Sequence, residues 1–86
     1  MKYVLVITNT DTPDINVFLI DDYDKACKYL ESIWEDAYNY ELATGSIINK
    51  DETYHEEAYA QIKFGEVGED WNTVKRFQIV ELDELR

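Results

Sequence analysis

"DDYDKACKYLESIWEDAYNYELATG", residues 21–45, decides how the rest of this chain is read. Tyr23, Ala26, Cys27, Leu30, Ile33, Trp34, Ala37 and Tyr38 recur at steps of three and four, the spacing that lines up one face of an α-helix. Asp21 or Asp22 stands where an N-cap carboxylate accepts the free amides of a first turn, and Gly45 where a left-handed residue ends a helix. The pattern predicts one long helix over 22–44 whose buried stripe includes Leu30, Trp34 and Ala37.

On either side of it the period changes from helical to alternating. "KYVLVIT" (2–8) and "INVFLID" (15–21) are β-branched and aromatic runs joined by "NTDTPD", a cluster of turn formers, so they predict a β-hairpin. After the helix, "AYAQIKF" (58–64) and "VKRFQIVEL" (74–82) predict two more strands linked by "GEVGEDWN", a hairpin loop without the helix N-terminus of a phosphate cradle. "SIINKDETYHE" (46–56) is polar and reads as a loop. The expectation is an α+β single domain over 1–86 of order ββαββ, a four-stranded antiparallel sheet with the helix packed on one face.

That architecture leaves a surplus of apolar surface. Tyr3, Leu5 and Ile7 alternate with Val4 and Val6, and Phe18 and Ile20 with Val17 and Leu19, so both faces of the first hairpin are apolar. One helix covers one face; the other needs the 46–57 loop, a second copy of the chain, or another protein.

Composition sets the class of partner. Nineteen acids against eight bases give a net charge of −11, which disfavours direct binding to nucleic acid or to an anionic membrane and favours basic surfaces. The longest apolar run is far short of a membrane span, and the chain opens on a strand-like segment, not a signal core. With one cysteine and therefore no internal disulfide, the reading is a cytoplasmic protein that folds without a cofactor.

Signals for catalysis are sparse. His55 is the sole histidine, with no serine or cysteine beside it to activate, and Cys27 falls on the apolar stripe of the helix, as an inert core thiol would. Asp51, Glu52, His55, Glu56 and Glu57 are metal-ligand types, but their spacing fits neither H-E-x-x-H nor a calcium loop, so no metal site is expected. The expectation is a protein that is not an enzyme.

The acids themselves are unevenly placed. Residues 31–70 hold eleven of them against two bases. Asp24 stands four residues before Lys28, a favourable helical pair, whereas Glu31, Glu35, Asp36 and Glu41 have no basic residue within the helix's second half, where the macrodipole is already negative. Acids four apart on a helix lie about 6 Å apart along its axis, comparable to successive phosphates on one strand of nucleic acid. Glu31, Glu35, Asp36, Asp51, Glu52, Glu56 and Glu57 are therefore candidate phosphate surrogates, with Tyr29 and Tyr40 as aromatic anchors for a protein partner.

The stretches "KYVLVITNTDTPDINVFLIDDYDKACKYL", "YHEEAYAQIKF" and "FQIVEL" resemble small acidic proteins, mostly uncharacterised, carried by phages and mobile elements of Gram-positive bacteria. The resemblance spans most of the chain and carries no functional residue across. In size and acidity the chain is also similar to phage-encoded DNA mimics, such as the inhibitor of uracil-DNA glycosylase and several anti-CRISPR proteins. That likeness implies a non-enzymatic inhibitor that occupies the basic site of a DNA- or RNA-binding protein. The alternative expectation is a structural or regulatory protein-interaction module that homodimerises through its apolar sheet face.

Overall fold

A computed structural model describes residues 2–10, 15–65 and 73–82. The elements run β1 (Tyr3–Asn9), β2 (Ile15–Ile20), α1 (Tyr23–Ala43), β3 (Ile47–Ile48), a 3-10 turn (Lys50–Glu52), β4 (Tyr54–His55), β5 (Tyr59–Gly65) and β6 (Thr73–Glu81). The turn segment at 11–14 and the loop acids Glu66, Glu69 and Asp70 lie outside the described residues.

Both ends of α1 form as the sequence predicts. The Asp22 carboxylate accepts from the Lys25 amide at 3.1 Å, satisfying a first-turn donor. At the other end Gly45 takes φ +87°, its amide donates to the Leu42 carbonyl, and the Ser46 amide donates to the Glu41 carbonyl, the double bond of a Schellman motif.

All the sheet pairings are antiparallel, and the spatial order is β2-β1-β6-β5-β3, with β4 also pairing β5. Four strands are the long ones predicted. The expectation of a four-stranded sheet needs correction, because the segment read as a loop adds two short strands along the outer edge of β5, with Ile47 opposite Gly65 and Tyr54 opposite Gln61. Two-residue strands leave no alternating pattern to detect, since pairing here rests on backbone hydrogen bonds and on the side chains of β5.

Residues opposite one another across antiparallel strands share a face, so the register assigns every side chain. Leu5 lies opposite Phe18 and Ile79, Ile7 opposite Phe77, and Phe77 opposite Ala60. These point to the helix, where Leu5, Ile7, Ala60, Ile62, Phe77 and Ile79 close on Ala26 and Leu30. Ile33, Trp34, Ala37 and Tyr38 pack partly buried against that core, which fits the helix phase read from the sequence. The opposite face carries no helix among the described residues. It runs from Ile15, Val17 and Leu19 on β2 through Val4 and Val6 to Arg76 and Gln78, and ends at Tyr59, Gln61, Lys63 and Tyr54.

Candidate functional site

The helix presents its two flanks to opposite ends of the sheet. Tyr29 meets Phe18 of β2 edge to face, with ring centroids 5.4 Å apart, so the flank holding Tyr29, Ile33, Asp36 and Tyr40 faces the β2 edge. Trp34 stacks on Tyr38 and lies 5.4 Å from the His55 ring, so the flank continuing to Glu31 and Glu35 faces β4. The nine candidate residues therefore divide into two surfaces and do not form one track. Tyr29, Asp36 and Tyr40 stand with β2, while Glu31, Glu35, Glu56 and Glu57 stand with β4.

The charge of Glu57 is among the lesser causes that raise the pKa values of both Cys27 and Tyr23. Burial is the larger cause for Cys27 and holds its thiol above the ordinary value, while the hydrogen bond from Tyr23 pulls the other way. For Tyr23 the hydrogen bond to Cys27 is the main cause. Cys27 is thus the subdued thiol expected of its place on the apolar stripe.

Glu52 and Asp51 belong to the 3-10 turn. Glu52 binds Lys63 Nζ at 2.7 Å, the one ion pair among the described residues, and also accepts from Asn49 Nδ2 at 3.2 Å. Its carboxylate therefore already has one lysine partner within the fold. Asp51 is exposed, and its amide is capped by the Asn49 side chain. Glu41, the unpaired acid nearest the helix end, accepts the Ser46 hydroxyl at 2.9 Å and so takes part in closing the cap. Among the described residues no three His, Cys, Asp or Glu side chains gather as a metal site requires.

Sequence reading missed a polar knot on the helix-free face. Gln61 is 8% exposed, and its Nε2 donates to the Glu52 carbonyl at 2.8 Å, while its Oε1 accepts from Arg76 Nε at 3.2 Å and the Tyr59 hydroxyl at 3.4 Å. Tyr54 stacks on Tyr59, and burial followed by the hydrogen bond to Tyr59 raises its pKa. The knot straps 49–55 onto β5 and covers that end of the face. The only signal in the sequence was a lone glutamine between Ala60 and Ile62.

At the other end nothing among the described residues covers the sheet. Ile15, Val17 and Leu19 expose 63%, 58% and 61% of their surface, and they share the helix-free face of the edge strand β2. Such a strand offers unpaired backbone groups beside apolar side chains. Edge strands are usually blunted by Lys, Pro or a bulge; "INVFLI" has no charge and no proline.

The fold and surface define a small acidic α+β protein with an open apolar sheet edge at one side and exposed carboxylates at the other. Compared with known proteins, the chain matches no protein-family model, no curated protein and no solved structure. No described helix is long and apolar enough to cross a membrane.

Proposed function

We propose that the chain is a non-enzymatic protein-interaction module that engages its partner through the β2 edge and the apolar strip beside it. The observation that carries this reading is the exposure of Ile15, Val17 and Leu19 on one face of an uncharged edge strand. A small domain gains nothing in its own stability from apolar side chains left in water, and covering them is favourable by about 25 cal/mol per Å². Phe18, Tyr29 and Tyr40, all exposed, extend the strip around the edge onto the helix flank with the rigid rings that interfaces favour. Comparative pull-down from native extract tests it. Val17→Lys and Leu19→Lys should each leave stability within about 0.5 kcal/mol of wild type. Both should lose the partner, and a partner retained by both substitutions would overturn the reading.

A second reading has its own observation. Glu31, Glu35, Glu56 and Glu57 are exposed, carry no ion pair among the described residues, and occupy the side of the molecule toward β4. They support a nucleic-acid mimic that blocks the basic site of a DNA- or RNA-binding protein, in the manner of an inhibitor from a phage or mobile element. Competition against DNA for such a basic protein should weaken as salt rises, because screening acts over about 8 Å at physiological ionic strength. Reversing Glu31, Glu35 and Glu57 to Lys should abolish it, while Asp36→Lys, on the other flank, should not. Competition indifferent to salt would sink this reading.

A further inference from the structure

The exposed strand answers a narrower question, what occupies it, once the interaction-module reading above is granted. We propose that the occupant is a second copy of this chain, with β2 adding antiparallel to β2 across a two-fold axis at Val17 so that the two sheets become one.

Symmetry restricts the register. An antiparallel pair related by a two-fold axis keeps each face of the sheet on its own side, so a residue can lie opposite only a residue of its own face. With the axis at Val17, Val17 meets the partner's Val17, and Ile15 meets the partner's Leu19. All three exposed apolar side chains of each copy then pack against their counterparts, with direct cross-strand contact. Moving the axis to Phe18 sets Ile15 against the partner's Asp21, and moving it to Asn16 carries Leu19 past the end of the partner's β2. The sequence of β2 is self-complementary in one register.

Charge decides between a copy and a basic partner. A basic strand would be recognised by carboxylates along the seam, and β2 has none. Asp21 and Asp22 lie past its end, and Asp22 is engaged as the helix cap; the flank of α1 nearest the seam contributes one carboxylate, Asp36. The acids around β4 are tied to β5, three strands away from β2. At about 4.8 Å per strand, the acidic edges of two paired copies are more than roughly 30 Å apart. That is over three Debye lengths in physiological salt, at about 8 Å each, so the acids around β4 oppose this particular assembly little.

Sedimentation equilibrium over a dilution series should give a mass near twice 10.2 kDa that falls toward one chain on dilution. Val17→Lys should give a single-chain mass at every concentration with unchanged circular dichroism. In a Cys27→Ala background, Val17→Cys should oxidise to a covalent dimer, because directly opposed residues lie within disulfide reach. Ile15→Cys or Leu19→Cys alone should not, since each lies four residues from its own copy, roughly 13 Å away. Together in one mixture they should cross-link. A dimer that persists in Val17→Lys, or one that Ile15→Cys cross-links as readily as Val17→Cys, overturns the seam or its register. A single-chain mass throughout also overturns the proposal, and exchange of those β2 amides that do not donate to β1 then tells which claim has failed. Fast exchange leaves the edge open to a different partner and the module reading intact, whereas protected amides mean the chain covers its own edge and both readings fall.

Discussion

The indole Nε1 of Trp34 donates to the backbone carbonyl of Gln61 at 3.3 Å, and the Gln61 side chain in turn holds the Glu52 carbonyl at 2.8 Å on the other face of the sheet. One residue of β5 thereby links the helix on one side to the 3-10 turn on the other.

Loss of either end of that link should be felt differently. Trp34→Ala removes packing against Tyr38 and His55 as well as the hydrogen bond, and should cost about 3 kcal/mol in urea unfolding. Trp34→Phe keeps much of the packing and should cost about 1 kcal/mol.

Gln61→Leu keeps the volume but leaves the Glu52 carbonyl and Arg76 Nε without their partner. The expected loss is about 1 to 3 kcal/mol, with faster amide exchange across 50–56. Exchange unchanged in that segment would show that the knot does not hold it.

Gly45 tests the helix end. A Cβ there would meet nothing within 4 Å, so Gly45→Ala has no steric clash, only the cost of φ +87°. About 1 kcal/mol should be lost, and Gly45→Asn should lose less, since asparagine tolerates that conformation better.

Cys27 should alkylate slowly at neutral pH, because burial first and then the charges of Glu57 and Asp24 favour the thiol over the thiolate. The sign for stability follows from the same shift. With a folded pKa raised above the unfolded value, the thiol contributes in full below the unfolded pKa, and the contribution is lost as pH rises through the folded pKa. Glu57→Gln should move the alkylation profile to lower pH. A profile unaltered by that substitution would remove Glu57 from the neighbourhood of the thiol.

The Glu31 and Glu35 pair offers a stabilising substitution. Glu35→Lys replaces a like-charged pair four residues apart by the favourable order Glu then Lys, and should add a few tenths of a kcal/mol at low salt. High salt should erase the gain.

How much of this was legible beforehand depended on whether the signal was local. The period of three and four, the Asp22 and Gly45 caps, and the alternation in four long strands are properties of neighbouring residues, and they determined α1, the long strands and which residues of one strand share a face. The uneven distribution of acids was equally plain. Strand order was not, because backbone hydrogen bonding is the same for every residue and the partner of a strand can come from any distance along the chain. Read by themselves, β1 and β2 look alike, both apolar on both faces. Only tertiary pairing put β1 between β2 and β6 and left β2 at the rim, so that Val4 is 6% exposed and its neighbour Leu19, directly opposite on the same face, 61%. The same long-range pairing turned Ile47–Ile48 and Tyr54–His55 into strands on β5 and sent the two helix flanks to opposite ends of the sheet, which divided the acids and tyrosines that the sequence alone had grouped together.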